Sequence, residues 1–266
     1  FPDWETLPYD IFSPLPEIVS ERLKTLTELV QTAQGILLVP VSTLMQRLGP
    51  REHVLGNTFM LRPGTRLNLD ETRQRLEAVS YHCVNQVQQH GEFAVRGSIL
   101  DLFPMGSPVP YRIDLFDDEV ESIRTFEPET QRSADKVSEI RLFPAREFPF
   151  DDGAIKRFRQ AFREEFPEIT GSNTLYQDVS KGIASGGVDY YLPLFVERTA
   201  TLFDYLPGKT TVVLHGEVEK AARQFYGDTQ TRYEQRREYF DKPPLAPERL
   251  FQTFTINRSL LRPTVH

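Results

Sequence analysis

Residues 91–106, "GEFAVRGSILDLFPMG", read as strand-forming sequence that is interrupted by a single cation, Arg96. A second run, "YRIDLFDDEVESIRTF" (111–126), again carries an arginine, Arg112, near its start. Strand alternation puts Arg112, Asp114 and Phe116 on one face of "YRIDLF" and Ile113 and Leu115 on the other. Ile113 and Leu115 form the natural core side. That leaves a phenylalanine flanked by charges facing outward, a composition enriched at recognition surfaces. Arg96 is harder to orient, because Gly97 reads as a bulge that shifts the alternation. The competing reading pairs Arg96 and Arg112 with Asp114 or Glu92 as cross-strand ion pairs, each worth ~1 kcal/mol or less. Residue types alone leave both readings open.

Outward from this stretch, the run from 82 to 143 alternates strand-like segments with Pro, Gly and Asp-rich turns, as in an antiparallel module. Asp117 and Asp118 sit where a tight turn is expected, and a helix over 70–79 with Asp70 as its cap precedes the module. On the N-terminal side, Ile18, Leu23, Leu26 and Val30 recur at helical spacing within 16–34, with Gly35 as the stop. The continuous apolar run "ILLVPV" (36–41) then reads as a strand covered on both faces, followed by a short helix capped by Ser42. Beyond Phe143, helices are expected at 152–166, near 173–181 and near 216–239, with "TTVVLHG" (210–216) as a strand before the last. An α/β grammar opens, is interrupted by a β-rich insert and resumes. The proline-bearing tail after 242 reads as a linker.

Composition narrows the chemistry. With 266 residues, 39% hydrophobic and 19 phenylalanines, the chain has material for a packed core. Its formal charge of −7 disfavours a nucleic-acid grip driven by overall charge. The lone Cys83 excludes an intramolecular disulfide and reads as a small buried thiol in "YHCVNQV". No stretch reaches membrane-span length and no signal peptide is visible, so a reducing, cytoplasmic setting is expected. Starting without methionine at a residue that reads as mid-fold, the chain is expected to be a piece of something longer.

"LPGKTT" (206–211) is not a phosphate loop: position 203, where the pattern requires glycine, is Phe203, and the lysine leads into a strand-like run rather than a helix. "SGGVDYY" (185–191) lacks the spacing of a dinucleotide motif and reads as a loop turning into a strand. The five histidines show no metal-ligand spacing, and no serine lies in a nucleophile elbow. No catalytic, cofactor or metal residue is assigned.

"GEFAVRGSILDLFPMG", "YRIDLFDDEVESIRTF" and "GGVDYYLPLF" (186–195) resemble the N-terminal region shared by UvrB and the bacterial transcription-repair coupling factors. "DWETLPYD" (3–10) and "VPVSTLMQRLGP" (39–50) are closer to the coupling factors, and the similarity runs in order to about residue 250. The resemblance implies a helicase-like, degenerate P-loop NTPase-type α/β domain, split by an inserted β-rich α+β domain. Its halves would be residues 1–56 and 144–250, the insert 57–143, and the remainder, 251–266, a linker. In this family the insert docks UvrA, the damage-recognition ATPase of nucleotide excision repair. Arg96, Arg112 and Phe116 match the family's contact positions. The phosphate loop of UvrB is missing, and residues 10–20 leave no room for its DNA-clamping hairpin. The resemblance therefore implies a segment that recruits UvrA without catalysis or cofactor, with an ATP-dependent DNA translocase motor elsewhere in the full-length protein. It also implies weak or indirect DNA contact, no membrane, and a face open to intramolecular docking by C-terminal domains. The alternatives are a nucleotide- or DNA-binding domain like that of UvrB, or an autoinhibitory scaffold that docks on C-terminal domains outside this chain.

Overall fold

A computed structural model describes residues 1–32, 34–169, 173–238 and 241–253. The chain is a mixed α/β protein with open sheets, and it divides into two compact units. The β-rich unit comprises Leu15–Thr27 and Glu52–Ala154; the helical unit takes Phe1–Pro14, Glu28–Arg51 and the chain from Ile155 onward.

Strand β1 (Phe59–Leu61) opens the β-rich unit, followed by a helix over Leu69–Ala78. Six strands then form one sheet in sequential order: β2 (His82–Cys83), β3 (Glu92–Arg96), β4 (Ile99–Leu102), β5 (Tyr111–Phe116), β6 (Glu119–Phe126) and β7 (Ser133–Val137). β2 runs parallel to β3, and the other neighbours are antiparallel. Finally, β8 (Ile140–Leu142) returns to pair with β1, holding the two ends of residues 59–142 side by side.

The alternation read in "YRIDLF" is the alternation observed. Phe93, Leu100, Leu102, Ile113, Leu115, Val120 and Ile123 are buried on one face of the sheet. The opposite face carries polar side chains and a small apolar cluster of Val87, Ala94, Phe103 and Phe126. The turns explain the register. Gly97 occupies the first position of a two-residue β3–β4 turn at φ +59°, a conformation glycine adopts without steric cost. It is therefore a turn residue and not the bulge read from sequence. The bulge lies instead between Asp114 and Leu115, where β5 meets β6. Asp117, at φ +53°, makes the expected β5–β6 turn with Asp118.

Two polar anchors in this unit have no counterpart in the sequence reading. Arg22, on the helix Pro16–Gln31, is fully buried and forks onto buried Glu147, Nε to Oε1 at 2.5 Å and Nη2 to Oε2 at 3.1 Å. Gly106 sits at φ +80° and donates its backbone N–H to Ser20 Oγ at 2.8 Å, with the Phe143 ring filling the space a Cβ would take. The helix Leu69–Ala78 is capped by Asn68, whose Oδ1 accepts from the amides of Asp70 and Glu71; Asp70 itself lies inside the first turn.

Helices over Asp152–Glu165, Thr174–Ser180 and Val218–Arg236 appear close to their expected bounds. In the helical unit, Phe158 stacks on Phe195 with ring centroids 4.7 Å apart, and Leu194, Leu202 and Tyr205 are buried.

Several local expectations fail there. "ILLVPV" and "TTVVLHG" form no strand; Ile36 is 93% exposed and Val213 76%. An apolar run becomes a buried strand only where other strands cover it, and among the described residues this unit contains none. Its α/β alternation is thus replaced by helices and extended loops. Ser42 does not cap its helix, which begins after Pro40; the Ser42 hydroxyl donates to Asp3 instead. "SGGVDYY" enters a 3₁₀ turn (Val188–Tyr191) rather than a strand, because Gly187 at φ +77° packs against the Asp10 carbonyl. Residues 243–251 are packed chain rather than linker: Leu245, Leu250 and Phe251 are buried, and Tyr9 donates to the Leu245 carbonyl. Of the linker expected at 251–266, residues 254–266 lie outside the described residues. Cys83 is exposed, since β2 is only two residues long and its side chain misses the core.

Candidate protein-docking face

The three residues singled out from sequence all lie on the polar face of the six-stranded sheet. Antiparallel pairing aligns Asp101 with Arg112, Arg112 with Arg124, and Arg124 with Lys136 in one row across β4 to β7. One row over, Arg96 opposes Ile99, which opposes Asp114. Directly paired residues project to the same side of a sheet, so these charges form one contiguous patch.

The arginines pair neither with Glu92 nor with Asp114. Glu92 accepts the backbone amides of Gln88 and Gln89, and Asp114 accepts the Ser122 hydroxyl. Both cations turn instead to Asp101, which is 1% exposed and went unnoticed in the sequence reading. Arg112 grips it through two N–H groups, Nε to Oδ1 at 2.7 Å and Nη2 to Oδ2 at 2.8 Å. That bidentate fork is the strongest geometry an arginine and a carboxylate can adopt. Its hydrogen bonds to Asp101 raise the pKa of the Arg112 guanidinium further. Nη1 of Arg112 adds bonds to the Gln131 carbonyl at 3.1 Å and Ser133 Oγ at 3.3 Å, and the guanidinium carbon lies 5.1 Å from the Phe126 ring centroid.

Arg96 is held more loosely. Its Nη2 lies 3.4 Å from Asp101 Oδ2 and 3.5 Å from Gln131 Oε1, and half of the side chain is exposed. Phe116 ends β5 at the tip of the β5–β6 hairpin and is 71% exposed. It lies about 13 Å along the strand from Arg112, on the same face.

A further cation joins them. Arg124 is half-buried directly opposite Arg112, and its Nε is buried without a hydrogen-bond partner. Two like charges facing across a strand pair are destabilising on their own account. The row thus holds Arg112, Arg124 and Lys136 against one buried carboxylate, with Arg96 and an exposed aromatic beside it. With Asp114 and Glu119 on the same face, four cations meet three carboxylates, a small surplus of fixed positive charge beside an exposed aromatic, in a chain that is acidic overall. Among the described residues no group of three metal-ligating side chains converges, and no helix is long and apolar enough to cross a membrane.

Residues 59–148, which include this face, match the UvrB interaction domain. The transcription-repair-coupling factor of Haemophilus influenzae is 50% identical over 262 residues, covering 98% of this chain and 23% of that protein. That of Escherichia coli K12 is 45% identical over 250 residues, covering 94% of the chain and 22% of the relative. The Bacillus subtilis factor is 29% identical over 228 residues, covering 80% and 19% respectively. The chain spans less than a quarter of the length of these relatives. The resemblance read from its motifs holds: nearly the whole chain is similar to a segment of the transcription-repair-coupling factors, and its β-rich unit carries the UvrB interaction domain match.

Proposed function

We propose that this chain is a non-catalytic docking module that recruits UvrA to sites of stalled transcription for nucleotide excision repair, through Arg96, Arg112 and Phe116. The observation that carries the reading is the coincidence of the UvrB interaction domain match with a sheet face of surplus positive charge around an exposed phenylalanine. Arginine and aromatic side chains dominate binding hot spots, and this face calls for an acidic partner surface with an apolar recess. The finer parts of the proposal are a domain split by the insert at 57–143, helicase-like by resemblance although its described residues form no strand, and a cytoplasmic setting. In the longer protein they add an ATP-dependent translocase motor. The discontinuous helical unit, interrupted by the β-rich one, supports the split.

Titration calorimetry against purified UvrA tests the docking role. Phe116→Ala and Arg96→Ala, both at exposed side chains, should each weaken binding by ~1–3 kcal/mol while circular dichroism stays unchanged. Wild-type affinity in both variants would refute the assignment of this face. A thermal shift with ATP would instead support the nucleotide-binding alternative.

A further inference from the structure

We infer that Gln131 is a positioning residue of the docking face, holding the guanidinium groups of Arg96 and Arg112 where a partner meets them. The inference rests on the docking role proposed above. Gln131 lies in the connection between β6 and β7 and adopts φ +59°, a left-handed backbone that glycine or asparagine takes far more readily. No hydrophobic demand explains a glutamine there, but its bonding does. The backbone carbonyl accepts Arg112 Nη1 at 3.1 Å, and the side-chain Oε1 accepts Arg96 Nη2 at 3.5 Å. Its own amide is tethered: Nε2 donates to the Pro128 carbonyl at 2.7 Å and the Val87 carbonyl at 3.1 Å. The backbone N–H closes the turn on the Glu127 carbonyl at 2.7 Å. Every polar group of Gln131 is therefore committed, two to the docking arginines and the others to rigid backbone.

Strained backbone persists where the surroundings over-determine it, and such sites concentrate at functional surfaces. Asp101 supplies the charge that draws both arginines inward, and Gln131 adds a second, uncharged acceptor to each. Arg96 gains most. It is long and half exposed, and among the described residues its contacts to Asp101 and Gln131 run through one nitrogen, leaving Nε–H and Nη1 on separate edges of the guanidinium for partner acceptors. Immobilising such a side chain before encounter removes an entropic penalty that binding would otherwise carry.

The test uses the whole chain, with UvrA as titrant. Gln131→Gly keeps the carbonyl that Arg112 uses, deletes the contact to Arg96 and relaxes the left-handed backbone. Binding should weaken about 2–10-fold, the factor expected when one flexible side chain must be ordered on association, with the circular dichroism spectrum unchanged, since relief of the left-handed backbone offsets the two Nε2 bonds lost to Pro128 and Val87. Gln131→Asn tolerates the same backbone but is too short to span from Val87 to Arg96, and should bind as Gln131→Gly does. In an Arg96→Ala background the Gln131→Gly effect on binding should vanish, which a purely structural role would not produce. Phe116→Ala separates the two possible failures. If it weakens binding while both Gln131 variants bind like wild type, the positioning role is wrong and the docking role stands. An equal loss for Gln131→Gly with and without Arg96 also overturns the positioning role. If Phe116→Ala and Arg96→Ala bind like wild type too, the docking role itself falls, and this inference with it.

Discussion

Arg112→Ala should unfold the β-rich unit more readily than any other single change on the docking face, and the reason is Asp101. That carboxylate is almost fully buried, and Arg112 supplies two of its charge-assisted hydrogen bonds at 2.7 and 2.8 Å. Removing one partner of a buried pair costs about 3–5 kcal/mol, because the other charge stays buried without compensation. Two features lower the figure here. Arg112 is 17% exposed, and Arg96 remains 3.4 Å from the same carboxylate. A loss of about 2–4 kcal/mol follows. At roughly 4–8 °C per kcal/mol for a small domain, the melting temperature should fall by about 8–32 °C. Arg96→Ala removes only an exposed, long contact and should cost under about 1 kcal/mol. The decisive variant is Asp101→Ala/Arg112→Ala. With no orphaned charge left inside, it should recover at least about 1 kcal/mol relative to Arg112→Ala alone. Urea denaturation followed by circular dichroism measures all four proteins. A double variant no more stable than Arg112→Ala would refute the reasoning, as would an Arg112→Ala protein that melts with the wild type. If the reasoning holds, affinity lost in Arg112→Ala mixes folding with recognition, and only Arg96 and Phe116 report on docking cleanly.

Arg124→Met should leave stability within about 0.5 kcal/mol of wild type or raise it, since it removes a buried unpartnered donor and a like charge facing Arg112; a loss above about 1 kcal/mol in the same urea assay would contradict this. Gly106→Ala should abolish stable folding of the β-rich unit, because its Cβ would lie 2.1 Å from the Phe143 ring at φ +80°, and a two-dimensional NMR spectrum with native dispersion would refute that. Acid should destabilise the same unit through His53, whose burial pushes its pKa below the ordinary value and whose Nε2–H donates to the Arg146 carbonyl while Nδ1 accepts from Asn57. The unfolded chain takes up that proton first, so the contribution is complete above about pH 6.5 and is lost as pH falls toward the lower folded pKa. His82, at an exposed position, is lowered by partial desolvation and by the Arg146 charge, and acts weakly in the same direction. The urea midpoint should therefore fall below pH 6.5, and His53→Gln should flatten that dependence in part; an unchanged slope in the variant would remove His53 from the account.

What could be read from the sequence depended on how local its cause was. Alternation in "YRIDLF" is a property of neighbouring residues, and it placed Ile113 and Leu115 inside and Phe116 outside correctly. Asp101 was illegible for the opposite reason. Between Leu100 and Leu102 it resembles an interruption of the core, and only the register sets it opposite Arg112. That register follows from Gly97 being a turn residue. Read as a bulge, the same glycine shifts the alternation, and in a strand one residue of slip exchanges the two faces. Gln131 carried no signal at all, because its role exists only once the β6–β7 connection closes beside β4 and β5. "ILLVPV" shows the converse error: its apolar composition is local, but the strands that would cover it are not.

The choice between ion pair and recognition surface, posed by residue types alone, dissolves in the geometry. Arg112 has five N–H donors. Asp101 takes two, and Gln131 and Ser133 take two more, so a single Nη2 hydrogen is left for a partner. Among the described residues, Arg96 spends Nη2 alone. One arginine is chiefly an internal strut that neutralises Asp101 and stiffens the sheet face, and the other is chiefly a presented cation. On this division partner acceptors should meet Nε and Nη1 of Arg96 one by one, because these two groups point to different edges of the guanidinium, near the exposed Phe116. Arg96→Lys, which keeps the charge but loses the two separated N–H groups and their fixed plane, should then bind almost as weakly as Arg96→Ala. Retention of wild-type affinity by the lysine variant would mean that the face is read by its charge alone.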